Sequence, residues 1–229
     1  MFAVFVVVLV LLVATTVHEL GHLVAARARR ARVVRICVGR GPQVIAWRRS
    51  GTLFELRILP LGGRVEYQRP ASGTANAVVA VGGAVANVVF GFLVLWTAAG
   101  LIGVDRMPFG DASLRPLHYA TGATTAWLRV VPATVIEFLT YGQSRTFALA
   151  LDAISGLLLT PNAASALHAM AAVSIIWAML NMIPIPGLGT DGWRFITAFG
   201  DPLGAAGAHG EGSTPRSRTP GMAEGEDPD

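Results

Sequence analysis

The chain has no lysine, a single cysteine and few charged residues for its length. Only 14% of its 229 residues are charged, whereas soluble domains carry about 25%. Together with 53% hydrophobic residues, this composition excludes an ordinary soluble domain and favours an integral membrane protein with several spans. Because Cys37 is the one cysteine in the sequence, an internal disulfide and a cysteine-based metal site are also excluded. The sequence contains no internal repeat.

Three apolar segments are long enough to cross a bilayer, which requires about 20 residues. They cover residues 1–26, 77–104 and 163–183. The first lacks the basic start and the small-residue cleavage site of a signal peptide, so we expect it to be retained as a span. The second has small residues along one side, which permits close contact with another helix.

The arginines are unevenly distributed along the chain. Eleven of the 18 lie between residues 27 and 69, and only four lie between the second and third spans. Under the positive-inside rule, the first of these segments is cytoplasmic and Met1 faces the outside of the cell membrane. Since the basic cluster directly adjoins a span, we expect the anionic headgroups of the lipid bilayer, and not nucleic acid, to be its partner.

Residues 33–69 have a different character from the spans. Short β-type runs are separated by residues 39–42, by a Ser50-Gly51 turn and by residues 60–63. This pattern predicts a small β-sheet at the cytoplasmic face of the membrane. We expect an edge within residues 52–67 to bind an extended peptide by strand addition.

The rest of the chain is less regular. Residues 120–141 and 146–159 are apolar but interrupted by charges or proline, which favours interfacial helices over clean spans. Residues 200–229 are rich in Gly, Pro, Ser and acidic residues and are typical of a disordered tail. The sequence therefore predicts a membrane α-helical domain over residues 1–199, with about three core transmembrane helices, a small cytoplasmic-face β-sheet and interfacial helices.

His18-Glu19-Leu20-Gly21-His22 lies in the same apolar helix as the first span. A helix places residues i and i+4 on one face, so His18 and His22 can share a metal ion. Glu19 is spaced to act as a general base on a metal-bound water. Ionisable groups at membrane depth are costly and persist mainly where they perform chemistry or conduction. The alternative is a polar patch that faces a partner helix.

A catalytic zinc ion usually has three protein ligands, so one is missing from this pair. The end of the third span is broken by two prolines and three glycines between Asn181 and Trp193, and this break can return Asp191 toward the centre of the protein. The alternative role for Asp191 is the N-cap of a short helix from Gly192 to Phe199. His168 lies near the opposite membrane surface, and we do not expect it to be a ligand. Asn87 is either an interhelical hydrogen-bonding residue or part of the site.

These motifs together resemble the site-2 protease family of intramembrane zinc metalloproteases. The His-Glu-Leu-Gly-His stretch matches the first metal motif of that family. Residues 60–65 are similar to the Pro-x-Gly-Gly segment of the bacterial members, and residues 82–87 to their glycine-rich second-span motif ending in Asn. Residues 181–186 are similar to the stretch that precedes the Leu-Asp-Gly motif of the family. The resemblance covers most of residues 1–200.

The resemblance implies hydrolysis of a peptide bond within or beside the membrane span of a single-pass substrate protein. It implies one zinc ion per chain, held by His18, His22 and Asp191, with Glu19 as the catalytic general base. Substrate-binding roles are implied for four further residues: Asn87, Asn181, Gly62 and Gly63.

The chain departs from the family pattern in two places. Two residues separate Leu188 from Asp191, which are adjacent in the family motif. If this insertion displaced the aspartate from the metal, the chain would be a catalytically inactive membrane adaptor. The roughly 60 residues between the second and third spans are too few and too apolar for the PDZ domain of many bacterial members, so we expect a type that lacks it. Metal transport is disfavoured because the second and third spans offer few polar groups.

Overall fold

The computed structural model describes residues 2–68, 72–103, 114–160, 162–186 and 190–200. The predicted tail, apart from its first residue, and residues 104–113 lie outside the described residues. The elements in chain order are α1 (Phe2–Ala28), β1 (Val33–Arg49), β2 (Thr52–Tyr67), α2 (Gly73–Leu101), α3 (Arg115–Tyr141), α4 (Arg145–Leu159), α5 (Ala163–Asn181) and α6 (Asp191–Thr197).

Three of the described helices, α1, α2 and α5, are long and apolar enough to cross a membrane. Large apolar side chains such as Val24, Val89 and Leu93 are more than half exposed on them. Such apolar surfaces favour contact with lipid, because their exposure to water is energetically unfavourable. The predicted fold class is confirmed, with helix ends that differ from the predicted spans by at most four residues.

Helix α2 is the centre of the bundle and packs against α1, α3, α5 and α6. A Cβ atom at Gly82 would lie 2.7 Å from the Cβ of Ala25 on α1, and one at Gly91 would lie 2.6 Å from Cγ1 of Ile175 on α5. Both distances are shorter than packed carbon atoms allow. The small residues of α2 therefore let its backbone approach both neighbouring spans.

The β-sheet consists of two long, paired strands that meet at a tight turn, where Ser50 and Gly51 have φ values of 49° and 80°. The prediction that residues 39–42 and 60–63 would interrupt the strands is wrong. Glycines with positive φ in both stretches, among them Gly62 at 73°, let the strands bulge without ending.

The first part of β1 lies between two stretches of β2, because Ile36 is paired with both Phe54 and Val65. Residues 53–56 consequently have strand partners on both sides, whereas residues 63–66 pair on one side only among the described residues. The expected open edge within residues 52–67 is therefore restricted to its C-terminal part.

The sheet is attached to the membrane helices at the end of α1. One apolar cluster contains residues of α1, of both strands and of α2: Leu23, Ala26, Val33, Ile36, Val65 and Val79. In addition, the Thr15 hydroxyl donates a hydrogen bond of 3.1 Å to the carbonyl of Pro60. Thr15 precedes the end of α1 by 13 residues, or about 20 Å of helix. The bend of β2 thus reaches deep along α1.

Helices α3 and α4 form the segment between the second and third spans. They are fastened by Glu137, whose carboxylate accepts hydrogen bonds from the Thr146 backbone N–H at 2.9 Å and from the Ser144 hydroxyl at 2.8 Å. The hydrogen bonds from Thr146 and Ser144 lower the pKa of Glu137 to about 2. The two helices cover the segments 120–141 and 146–159 that were expected to be interfacial helices, and α3 begins five residues earlier than expected, at Arg115.

Candidate metal centre

His18, Glu19 and His22 lie on the buried side of α1, and each is only 4% exposed. The i, i+4 spacing brings the two imidazole rings to a centroid separation of 4.8 Å, with their Nε2 atoms 3.2 Å apart. His18 precedes the end of α1 by ten residues, which corresponds to about 15 Å of helix. The pair therefore lies well below the membrane surface if α1 crosses the bilayer.

Asp191 completes the group from the first turn of α6. Its two carboxylate oxygens lie 2.9 Å from Nε2 of His18 and 3.2 Å from Nε2 of His22. The two residues inserted before it do not keep it away from the histidines. Gly187, Leu188 and Gly189 lie outside the described residues.

Thr190, and not Asp191, caps α6. Its hydroxyl accepts from the Trp193 N–H and donates to the Ile183 carbonyl at 2.8 Å, which ties the start of α6 to the end of the third span. The alternative that Asp191 is the N-cap of a helix beginning at Gly192 is therefore wrong. The threonine takes that position, and the carboxylate of Asp191 is left to face the histidines.

The donor set fits a zinc ion. Ligand atoms about 2.0–2.1 Å from a tetrahedral zinc lie about 3.3 Å from one another. Here the two Nε2 atoms are 3.2 Å apart, and a different oxygen of Asp191 lies near each of them, at 2.9 Å from His18 and 3.2 Å from His22. The described residues contain one such group of metal-ligating side chains, made of His18, His22 and Asp191. Two imidazole nitrogens and a carboxylate are also the donor types that zinc prefers, with a position left for water.

Groups behind the histidines hold the rings in place. Nδ1 of His22 lies 2.8 Å from the carbonyl of Val79 and donates to it, so the lone pair of Nε2 is directed toward Asp191. Nδ1 of His18 lies 3.4 Å from the carboxamide of Asn87, a fully buried residue. The Asn87 amide oxygen has no hydrogen-bond partner among the described residues. Rotating the amide by 180° lets this oxygen accept from His18 Nδ1–H.

Two glycines make room for the cluster. A Cβ atom at Gly83 of α2 would lie 2.6 Å from Nε2 of His22 and 2.7 Å from Nε2 of His18. A Cβ atom at Gly63 of β2 would lie 2.6 Å from Oε1 of Glu19. Any larger residue at either position would occupy the space of the cluster or of the carboxylate beside it.

Comparison with known proteins identifies the family. The model of peptidase family M50 matches residues 4–202, a range that includes every member of the cluster. The chain belongs to peptidase family M50. This confirms the resemblance to site-2 proteases.

Three relatives illustrate the similarity of this M50 chain to curated proteins. It is 29% identical over 145 residues to a protein of Nostoc sp. and 32% identical over 117 residues to one of Synechocystis sp., both named "Putative zinc metalloprotease". These matches cover 56% and 44% of the chain and 39% and 32% of the relatives. Metalloprotease MmpA of Caulobacter vibrioides is 42% identical over 69 residues, which cover 30% of the chain and 16% of that protein. The matched regions thus span well under half of these relatives. Family and names support a metalloprotease that uses zinc.

A cavity of about 610 Å³ opens beside the cluster of the M50 chain. Three of the predicted substrate-binding residues line it, namely Gly62, Gly63 and Asn181. Asn181 donates a hydrogen bond of 3.0 Å to the carbonyl of Trp177 in its own helix. The fourth, Asn87, lies behind His18 and is not among the lining residues. Its position favours support of the histidine over contact with a substrate.

Sequence reasoning missed part of this cavity. Trp177, Arg40, Arg57 and Arg194 also line it, although they belong to four different elements. None of them is part of a recognisable motif, and only the fold brings them to the cluster. Gly83 is one of the small residues of the second span, but nothing in the sequence indicates that it faces the histidines.

His168 forms its side-chain hydrogen bonds with residues of α3 and not with the cluster. Its Nε2 accepts from the indole N–H of Trp127 at 3.3 Å, and its Nδ1 lies 2.9 Å from the hydroxyl of Tyr119. Since the indole nitrogen can only donate, Nδ1 carries the proton of the neutral ring. His168 therefore links α5 to α3, in agreement with the expectation that it is not a metal ligand.

Proposed function

We propose that this chain is a zinc-dependent intramembrane endopeptidase that cleaves a transmembrane or juxtamembrane segment of a single-pass membrane protein. The observation that carries this proposal is the buried group of His18, His22 and Asp191, spaced for one zinc ion beside Glu19, among helices able to span a membrane. Zinc, when bound, supplies a Lewis acid and a water of lowered pKa.

Glu19 is the proposed general acid and base. It follows His18 directly on α1, and its carboxylate lies against Gly63 at the edge of the sheet. In this position it can accept the proton of the attacking water and return it to the leaving amine. His18, His22 and Asp191 hold the metal, while Val79 and Asn87 keep the two rings oriented.

The edge formed by residues 63–66 is the proposed binding site for the unwound substrate. An extended peptide added here would pair with main-chain groups that have a strand partner on one side only among the described residues. Its backbone would run past Gly63, beside Glu19. Arg64→Pro should lower cleavage, whereas Arg48→Pro, on the opposite edge of the sheet, should not. Equal effects of the two would contradict this role.

The proposed location is the cell membrane, with the site toward the cytoplasm and Met1 outside. The sheet lies beside the end of α1 that carries Arg27, and the arginine-rich segment follows it in sequence. The bilayer and a single-pass substrate are the proposed partners; no nucleic-acid partner is proposed. The alternative of an inactive adaptor assumes a displaced aspartate, and the short distances of Asp191 to both histidines support the protease instead.

The proposal is tested by cleavage in reconstituted vesicles. A panel of single-pass model substrates is presented to the wild-type chain, to Glu19→Gln and to Asp191→Asn, and zinc content is measured in parallel. We expect Glu19→Gln to retain zinc but lose cleavage, and Asp191→Asn to lose both. Asp152→Asn, which changes an exposed carboxylate on α4, is the matched control and should behave as wild type. A wild-type chain that binds zinc but cleaves no substrate would favour the adaptor.

A further inference from the structure

The cavity beside the metal cluster is lined by more positive than negative side chains. Its cationic residues come from β1, β2 and α6: Arg35, Arg40, Arg57, Arg64 and Arg194. The acidic residues that line it are Glu19, Glu66 and Asp191. Since Asp191 faces the histidines and Glu19 is the proposed general base, Glu66 is the one lining carboxylate left to offset the arginines.

Three of the five arginines share two carboxylates. Glu55 lies 2.7 Å from Arg35 and 3.2 Å from Arg57, and it is itself only 6% exposed. Glu66 lies 3.6 Å from Arg35 and 3.8 Å from Arg64. These contacts lower the pKa of Glu55, chiefly through the hydrogen bond from Arg35. Both acids are thus already paired with arginines other than Arg40 and Arg194.

Arg40 and Arg194 form no ion pair with any residue that the structure describes. The guanidinium of Arg40 lies over Gly62, where a Cβ atom would be 3.4 Å from its Nε. Gly62 directly precedes Gly63, against which the Glu19 carboxylate lies. Arg194 follows Asp191 by three residues on α6, so it lies one helical turn away on a neighbouring part of the surface. The two cations approach the cluster from two different elements.

We propose that Arg40 and Arg194 bind carboxylate groups of the substrate, so that the enzyme selects segments with Asp or Glu within a few residues of the cleaved bond. This inference rests on the proposed function. A recess surrounded by protein strengthens the attraction between opposite charges compared with open water. Other arginines are available for lipid headgroups, because Arg27, Arg29 and Arg30 are exposed at the end of α1 and do not line the cavity.

The test compares two model substrates with the same membrane span. One carries Asp and Glu beside the span, and the other carries Asn and Gln at the same positions. With zinc-loaded wild type in phosphatidylcholine vesicles, we expect kcat/KM to be about tenfold or more higher for the acidic substrate, as for a hydrogen bond to a charged group. In Arg40→Gln and Arg194→Gln this ratio should fall toward one. Arg48→Gln removes the same charge from an exposed position of β1 outside the cavity and should keep the wild-type ratio.

A binding measurement separates this inference from the proposed function. Fluorescent peptides with the acidic or the amide flank are titrated into zinc-loaded Glu19→Gln, with and without the arginine substitutions. A preference for the acidic peptide that Arg40→Gln and Arg194→Gln reduce would support the inference even if no substrate were cleaved. Equal binding and equal cleavage of both flanks would overturn it while leaving the protease intact. If the substitutions changed only the affinity for vesicles containing phosphatidylglycerol, the cations would bind lipid and the inference would be overturned.

Discussion

Gly83→Ala is expected to weaken zinc binding strongly while leaving the helix bundle folded. The new methyl group would lie 2.6 Å from Nε2 of His22 and 2.7 Å from Nε2 of His18. Non-bonded contacts between such atoms settle near about 3.5 Å, so each ring would have to move by about 0.8 Å. Zinc–ligand distances tolerate deviations of about 0.2 Å. The required movement is therefore about four times larger than the site can accept.

The magnitude follows from the number of ligands affected. Zinc sites with four protein ligands bind with about 10–16 kcal/mol, or about 3 kcal/mol per ligand. Loss of proper contact with even one histidine should therefore weaken zinc binding by about 100-fold or more. Helix α2 itself should not suffer, because alanine is favoured over glycine in a helix interior by about 1 kcal/mol.

The assay is zinc content of the purified chain by elemental analysis, with affinity measured by competition against a chromophoric chelator. Gly100→Ala is the matched control: it makes the same change in the same helix, where a Cβ atom would meet nothing within 4 Å. We expect Gly100→Ala to bind zinc as wild type does. If Gly83→Ala bound one zinc ion with wild-type affinity, the metal would have to lie elsewhere, and the assignment of His18 and His22 as joint ligands would fail.

Three further predictions concern groups around and beyond the cluster. Asn87→Ala should lower zinc affinity about 10- to 100-fold by releasing the His18 ring, as measured by chelator competition. The control is Ser174→Ala, which removes a hydrogen-bond donor to the Asn87 backbone carbonyl but leaves the Asn87 side chain in place. It should have a smaller effect. Trp127→Phe leaves Nε2 of His168 without its donor and should destabilise the fold by about 1–3 kcal/mol, seen as a lower Tm in detergent with unchanged zinc content. Hydrogen bonds lower the pKa of Glu137 to about 2. Its carboxylate therefore stabilises the α3–α4 junction fully above its usual pKa near 4.5, and this stabilisation is lost as the pH falls toward 2. Limited proteolysis at the junction should increase over that range, and this pH dependence should disappear in Glu137→Gln.

The membrane helices could be predicted because their signal is local. Long runs without charge identify α1, α2 and α5 whatever surrounds them, since the bilayer sets their minimum length. The strands were harder to delimit from sequence. Glycines such as Gly41 and Gly62 ordinarily indicate the end of a strand, but here they allow bulges within strands that continue. Whether a strand continues past such a glycine depends on its pairing with a distant segment of the chain. A local sequence pattern carries no information about that pairing.

The metal cluster was predictable to the extent that its spacing is helical. His18 and His22 are fixed by the geometry of one helix, and Asp191 was predicted from the broken end of the third span and the family pattern. Its actual placement depends on Thr190, whose hydroxyl both caps α6 and binds the carbonyl of Ile183. Because Thr and Asp are both favourable N-caps, the sequence alone did not decide which of the two would leave its side chain free.

The position of the sheet edge bears on how a helical substrate could be cleaved at all. Unwinding a helix within a bilayer exposes backbone N–H and C=O groups, each at a cost of several kcal/mol if it finds no partner. Residues 63–66 offer main-chain partners beside Glu19, and the hydrogen bond from Thr15 to Pro60 holds this bend along α1. Binding and unwinding would then occur in one place, and the strand pairing would offset part of the cost of unwinding. We therefore expect cleavage to be fastest where the substrate span contains glycine or other residues of low helix propensity, because their unwinding costs least.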